Sequence, residues 1–456
     1  MPLAHHNPIW EDLMRPVLRR LLIESGMLGV LLLLAAVFSV LTLRWQPATD
    51  AVAARRLVAS LAAELPAASP LLIAVRPVAA ERQFAVVVEQ AARARGLQVR
   101  AVVAGPPQEL RTQLEALVEA DDTIAAVVAT ERPATWLVLT EMGELFPTLG
   151  QPPIRTPSPV LWPTFLEATN LLNVANQITV IAIMAIGMTL VIITGGIDLS
   201  VGSLAALAAV VVALLIRDFA GGTAAGMAGM LLASAGAIGC CGFAGAVSGG
   251  MVILFGVPPF IVTLAMMLVA SGLASLLSGG ESIAELPERF VWLGRGTGFF
   301  GLPHAVLLML LLYGAAHFLM TRTVFGRRLY AVGGNQEAAR LSGVPVGRVV
   351  LSAYVIAGLL AGLGGVILAS QLKSGSPTYG NMYELYVIAA VVVGGTSLAG
   401  GEGKIFGTLV GALVIAVIQN GMNLTNIESY TQKIVLGVVI LGAVLIDRMR
   451  HRGTYG

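Results

Sequence analysis

The sequence predicts an α-helical polytopic membrane protein of about ten transmembrane helices, carrying an inserted extracytoplasmic α/β domain built on a small parallel sheet. Three observations lead to this. Of the 456 residues, 56% are hydrophobic and only 12% are charged, against roughly 25% charged in a soluble domain. Apolar stretches long enough to cross a bilayer recur from Leu171 to near the C-terminus. Between them and the first apolar run, residues 45–165 switch to short apolar runs alternating with amphipathic ones.

Residues 1–20 carry Arg15, Arg19 and Arg20, and basic residues flanking a span favour the cytoplasmic side. The run "MLGVLLLLAAVFSVLTL" that follows lacks a small-residue cleavage site, so residues 21–44 read as a retained first transmembrane helix and not a signal peptide. Within 45–165, "PLLIAVRP" is a buried strand, "AAERQFAVVVEQAARARG" an amphipathic helix ending at Gly96, and "LQVRAVVAG" the next strand. "PPQELRTQLEALVEADD" starts behind prolines, as helices can, and "TIAAVVAT" is a third strand. Strand, helix, strand, helix, strand implies a parallel sheet with right-handed crossovers. "ATWLVLTEMGELF" is expected as a further helix, and the Pro-rich "QPPIRTPSPVLWP" as a linker.

Residues 166–447 hold nine more apolar segments, near 171–194, 199–217, 224–248, 258–278, 302–321, 349–371, 384–396, 405–422 and 432–446. With the first they make ten. An even number returns the tail, 448–456, to the cytoplasm, where Arg448, Arg450 and Arg452 lie; the loop 322–348, with five arginines, falls on the same side. A formal net charge of +2 gives no field for nucleic acid. Cys240 and Cys241 are sequence neighbours in an apolar segment, which suits neither a disulfide framework nor a metal site and reads as membrane core.

Several polar residues stand out against this background. In "ITGGIDLSVGSLAAL", Asp198 sits where a carboxylate costs about 2.5–3.5 kcal/mol on insertion scales. With Gly195, Gly196 and Gly202 interrupting the helix around it, Asp198, together with Ser200, either caps the following helix or meets a solute. Asn173, Asn176 and Gln177 share one helix face, as do Gln419, Asn420 and Asn423. Such amides suit a polyhydroxylated solute leaving water and equally suit hydrogen bonds between helices. In the loop 322–348, "GGNQEAARLSGV" reads as a short helix capped by Asn335, with Glu337 in its first turn, Arg340 in its last and Gly343 at a left-handed exit.

"AVGGNQEAARLSGV" resembles the coupling loop of ATP-binding-cassette (ABC) importer permeases, down to Glu337-Ala338-Ala339, by which the membrane subunit docks on its ATPase. The resemblance gives Gly334, Asn335, Glu337, Ala338, Ala339, Arg340 and Gly343 that role. "TNLLNVANQITVIAIMAIGMTLVIITGGIDLSVGSLAAL" and "AAVVVGGTSLAGGEGKIFGTLVGALVIAVIQNGMNL" are similar to stretches of the ribose, xylose, galactoside and autoinducer-2 permease family, of branched-chain type, over residues 165–448. In that family the first span runs almost at once into a segment like "FLEATNLLNV"; here the soluble domain intervenes. The resemblance implies a permease subunit importing a sugar or similar small polyol across a bacterial cytoplasmic (inner) membrane. Its implied partners are membrane lipid, a second permease copy, ABC ATPase subunits and an extracytoplasmic sugar-binding protein.

The resemblance implies a transport subunit and not an enzyme, with no cofactor of its own, ATP being bound by the partner. In agreement, no G-x-x-x-x-G-K-[ST] occurs; "GGEGKIF" follows Lys404 with Ile405. The inserted domain resembles one lobe of a periplasmic sugar-binding protein. Only one lobe fits the available length and Phe84 is its nearest candidate for an aromatic sugar platform, so a docking or gating module at the pore mouth is the expectation, the alternatives being a degenerate remnant without ligand contact and a binding lobe completed by dimerisation. The alternative class is a membrane receptor whose external domain senses a ligand, but a receptor has no need of an ATPase dock. An ion-coupled transporter would want several paired intramembrane ionisable groups, and the late spans offer few beyond Asp198 and Glu384.

Overall fold

The computed structural model describes residues 26–284 and 286–452. The cytoplasmic placement expected for residues 1–20, with Arg15, Arg19 and Arg20, and for the tail end lies outside the described residues. The chain forms two compact units: Leu43–Pro163, and the remainder up to Thr42 and from Thr164 onward. The boundaries fall two residues before those expected from composition.

Along the chain, α1 (Gly26–Leu41 among the described residues) ends three residues before the expected first span does, because the chain leaves the helix at Thr42 and enters strand β1 (Leu43–Gln46). The smaller unit continues with α2 (Ala51–Glu64), β2 (Pro70–Val75), α3 (Ala79–Ala94), β3 (Gln98–Ala104), α4 (Pro107–Glu119), β4 (Ala126–Ala129), β5 (Ile154–Arg155) and β6 (Val160–Pro163). Strands β3-β2-β4-β5 form a parallel sheet, and β1 pairs antiparallel with β6 in a separate ribbon. The sheet is covered on both faces. Leu71, Ile73 and Val75 pack with α2 and α3, while Leu72 and Ala74 pack with α4 and the segment 139–149. That is why β2 is apolar at consecutive positions instead of alternate ones.

Two expectations for this unit are corrected. Helix α2 is an addition, carried by Ala54, Leu57, Val58 and Leu61 at helical spacing. The helix expected over "ATWLVLTEMGELF" is broken into single turns, Leu137–Thr140 and Met142–Leu145. The cause is Gln151: its Oε1 accepts the Gly143 N–H at 2.6 Å and its Nε2 donates to the Leu139 and Thr140 carbonyls at 3.0 and 3.2 Å. The supposed linker thus satisfies backbone groups a longer helix would have used, then supplies β5. Phe84 is a core residue of this unit, 1% exposed, and offers no platform.

Glu81, in the first turn of α3, is buried where β2 and β4 end. Its carboxylate accepts the Arg76 N–H and Nε–H, both at 2.8 Å, and the Thr130 hydroxyl at 2.6 Å. Burial pushes the carboxyl up, but these hydrogen bonds and the Arg76 charge outweigh it and leave Glu81 below its ordinary 4.5. A folded value below the unfolded one stabilises the unit above about pH 4.5, and that contribution is lost as the pH falls through the lowered value. In the full-length protein, hydrogen-exchange protection of β2, corrected for intrinsic rate, should drop on acidification through that window. Glu81→Gln should flatten the dependence; an unchanged acid profile in the variant would contradict this account.

The larger unit resumes with α5 (Ala168–Ile193), α6 (Val201–Leu214), α7 (Met227–Phe255), α8 (Pro259–Ser278), α9 (His304–Arg322), α10 (Val324–Gly334), α11 (Gln336–Leu341), α12 (Val346–Leu372), α13 (Tyr383–Val393), α14 (Ile405–Leu424) and α15 (Ser429–Arg452). Among the described residues, seven helices are long and apolar enough to cross a membrane, and three shorter apolar helices, α1, α13 and the start of α15, coincide with the other expected segments. From Ile178 to Ile193 helix α5 is buried at every position, with Thr179 and Thr189 its only polar side chains, the mark of a central helix. It meets α12 through Gly187, where a Cβ would stand 2.6 Å from the Ala357 Cα; close approach through small residues is how helices associate in lipid. Both cysteines lie in the apolar span α7; Cys241 is buried with its Sγ 3.2 Å from the Leu204 carbonyl, whereas Cys240 is on the exposed face of the helix.

Helix α1 joins this unit through Phe38, which stacks on Phe165 at 6.2 Å and lies against Gly421. The Thr42 carbonyl accepts the Thr164 N–H at 3.0 Å, and the Thr42 hydroxyl accepts the Phe165 N–H at 3.1 Å.

Candidate functional site

The expected coupling segment is helical over most of its length. Asn335 ends α10 and caps α11, its Oδ1 accepting the Ala338 N–H at 2.9 Å. Glu337 and Arg340 pair across one turn at 2.6 Å, and that pairing holds the Glu337 carboxyl below its ordinary range. The pair is exposed and adds little stability. Gly343 takes the left-handed conformation, φ 80°, at the exit. Ala339 is the buried anchor, whereas Gly334, Glu337 and Ala338 are exposed. Leu341, which sequence reasoning missed, is 79% exposed beside them. Its signal was an apolar side chain at i+4 from Glu337, on a face that a solvated helix would keep polar.

Behind this helix, Gly333 of α10 lies so close to the chain that a Cβ there would run into the Ile193 carbonyl oxygen and stand 2.6 Å from the Gly401 nitrogen. The Gly401 N–H donates to that same Ile193 carbonyl at 2.9 Å, and the Tyr330 hydroxyl donates to the Gly403 carbonyl at 2.7 Å. Three backbones, the end of α5, the loop 394–404 and the end of α10, therefore meet without intervening side chains.

Asp198 is fully buried in the turn between α5 and α6. Its Oδ1 accepts the Ser200 N–H at 2.9 Å and the Ser200 hydroxyl at 2.6 Å, which fixes the entry to α6; its Oδ2 and the nearby Tyr354 hydroxyl are buried without hydrogen-bond partners among the described residues. In the similar frame "GGTSLAGG", Ser397 occupies the position of Asp198, and its Oγ accepts the Ala399 N–H at 3.3 Å. Asp198 and Ser200 organise a turn and line neither of the two cavities described next.

The amide stripes divide. Gln177, Gln419 and Asn423 converge with Gln432, Tyr383 and Tyr386 around a cavity of about 180 Å³. Asn176 instead donates to the Gly294 carbonyl at 3.1 Å, and its own carbonyl accepts from Gln371 at 2.9 Å. Asn420 pairs reciprocally with Asn170, at 3.0 and 2.8 Å, tying α14 to α5. Asn173 is exposed outside the cavity lining.

A second cavity, about 460 Å³, has a lining that includes Ser203, Ser271, Ser275, Thr378, Asn381 and Glu384. Helix α13 is only 11 residues, about 16 Å or half a hydrocarbon core, and follows a non-helical segment, 373–382. Gly202 makes room at its start, since a Cβ there would stand 2.5 Å from Glu384 Oε2 and from the Gly380 carbonyl oxygen. Sequence reasoning assigned Glu384 no site role; the overlooked signal was Ser271 and Ser275 at i, i+4 on one face of an apolar helix.

Spans packed through glycine, a half-length helix and two polar cavities among them define a multi-pass helical membrane protein with an exposed surface helix backed by its core. Residues 170–444, more than half of the chain, match the family described as branched-chain amino acid transport system / permease component, and the chain belongs to that family. It is 44% identical over 295 residues to the ribose import permease protein of Escherichia coli K12, covering 64% of this chain and 89% of that one. It is 43% identical over 311 residues to the ribose import permease protein of Bacillus subtilis 168, covering 68% and 94%. An L-arabinose ABC transporter permease protein of Azospirillum brasilense is 38% identical over 289 residues, 63% and 83% of the two chains. No solved structure matches the chain. The family match begins after Pro163, so the smaller unit lies outside it.

Proposed function

We propose that this chain is the permease subunit of an ATP-driven ABC importer for a monosaccharide or similar small polyol in a bacterial inner membrane, with both termini in the cytoplasm. Relatives named for ribose and L-arabinose support the sugar class. The observation that carries the coupling role is α11, a capped, exposed helix that follows the Gly333 junction within three residues. The ATPase partner binds ATP and docks on Glu337, Ala338 and Leu341. Its movement reaches the end of α5 and the Asp198 turn through backbone contacts, which transmit displacement because no side chain can absorb it.

Gln177, Gln419 and Asn423 offer donors and acceptors to a solute leaving water, and the cavity with Glu384 continues the path. A second permease copy completes the pore, and an extracytoplasmic sugar-binding protein delivers the solute. The unit Leu43–Pro163 is an inserted extracytoplasmic domain, joined to the first span at the point where charge places the chain outside, and it serves as a docking or gating module. The receptor alternative gains no support from the family match, which is to a transport permease component.

The test is a pull-down of the detergent-solubilised chain, with identification of the copurifying subunit and assay of its ATP hydrolysis. Wild type should retain an ATPase, and Glu337→Arg or Leu341→Asp should reduce its recovery at least about tenfold, the change of about 1.4 kcal/mol expected when one contact of a small dock is removed. Absence of any ATPase from the wild-type preparation would overturn the proposal.

A further inference from the structure

The ribbon β1–β6 is two-stranded, with six of its eight residues apolar and all but Gln46 and Pro163 exposed. Its register pairs Leu43 with Pro163, Arg44 with Trp162, Trp45 with Leu161 and Gln46 with Val160. Directly paired residues share a face, so one face consists of Leu43, Trp45, Leu161 and Pro163 with no polar side chain. Trp45 is 71% exposed, Trp162 50% and Leu161 47%. An isolated two-stranded ribbon is marginal in water, and it exposes one tryptophan on each face, Trp45 beside Leu161 and Trp162 beside Arg44.

Covalent continuity says what covers it. One residue, Thr42, separates β1 from the end of α1, and β6 ends four residues before α5 starts. β1 therefore follows an apolar helix of the membrane unit after one residue, and β6 leads through the single turn Thr164–Leu166 into another. Strands rise about 3.3 Å per residue, so no more than about 7–10 Å of chain separates Trp45 from the end of the α1 segment. The polar interfacial layer is about 5–8 Å deep on each side of a hydrocarbon core of about 30 Å. Trp162, opposite Arg44, falls nearer still to the span ends. Tryptophan prefers this layer, where its ring is buried and its N–H stays hydrated, and the exposed Arg44 is placed to meet lipid phosphate.

We infer that the β1–β6 ribbon is a membrane-interface anchor: Trp45 and Trp162 lie among the lipid headgroups and acyl carbonyls, and tether the smaller unit to the bilayer surface. This holds whatever solute the protein carries.

The experiment is tryptophan fluorescence of the full-length protein in phosphatidylcholine proteoliposomes, wild type against the conservative double variant Trp45→Phe with Trp162→Phe. The difference spectrum isolates the two indoles. It should be blue-shifted from aqueous tryptophan, lose most of its intensity to lipids brominated near the headgroup, lose less to lipids brominated deep in the chain, and respond weakly to acrylamide in the water. Strong acrylamide quenching with no effect of brominated lipid would place the ribbon in water. Protection from both would place it under protein, a second copy or a partner. Stronger quenching by the deep label would place it in the hydrocarbon. Each of these three results overturns the inference, and the single variants Trp45→Phe and Trp162→Phe, each subtracted from wild type, give the same reading if the double variant is poorly folded.

Discussion

Gly333→Ala is expected to destabilise the membrane unit strongly, while Gly334→Ala, one residue away, leaves it intact. At Gly333 the added methyl would overlap the Ile193 carbonyl oxygen and press on the Gly401 nitrogen, both backbone atoms that no rotamer change can move; at Gly334 nothing lies within 4 Å. The end of α10 would have to shift, breaking the hydrogen bond from Gly401 to Ile193, with an overpacking cost of about 1–3 kcal/mol. Thermal unfolding in detergent, followed by the change in monodisperse fraction, reads the difference directly. The ATPase pull-down of the Gly333 variant should also weaken, although its docking face is unaltered. Equal stability of the two alanine variants would show that the three backbones do not meet as described.

Asp198→Ala should be the second severe substitution, and Asp198→Asn a mild one. Alanine strands the Ser200 N–H and hydroxyl in a fully buried turn, at about 1–3 kcal/mol for each unsatisfied group, and removes the side chain that fixes the entry to α6. Asparagine keeps an acceptor for both. It also replaces Oδ2, which has no partner, with a donor near the unpartnered Tyr354 hydroxyl. Yield of folded protein by size-exclusion chromatography and uptake in cells should both fall for alanine and stay near wild type for asparagine. If the two variants fall together, the carboxylate's charge and not its acceptor geometry is what the site needs.

Much of this fold was legible in the sequence because its signals are local. A bilayer demands long apolar runs, and each of the predicted segments falls on a helix; Asn335 and Gly343 each act within a few residues of themselves, so the cap and the exit of α11 could be read directly, while the pairing of Glu337 with Arg340 was not read. The amides show where local reading stops. Helical spacing puts Asn176 beside Gln177, yet one turns to Gly294 and the other to a cavity, because the partners come from distant stretches of chain. Asn420 meets Asn170 across 250 residues, a pairing no window reveals. Gln151 breaks a helix from what read as a linker, and Gly333 is one glycine among 52, distinguished only by what folding brings against it. Glu384 lacked an obvious partner in sequence for the same reason: its serines sit on α6 and α8.

The clasp between Thr42 and residues 164–165 also bears on how such a chain could arise. The two chain ends that border the smaller unit are already held together by hydrogen bonds belonging to the membrane unit, so the 121 residues between them add a loop without opening the helices on either side. Lengthening a closed loop costs only about 0.6 kcal/mol per doubling. A junction of this kind works as a port: the membrane scaffold is indifferent to what is spliced there so long as the splice begins and ends side by side, and a short turn and a whole folded domain are nearly equivalent insertions.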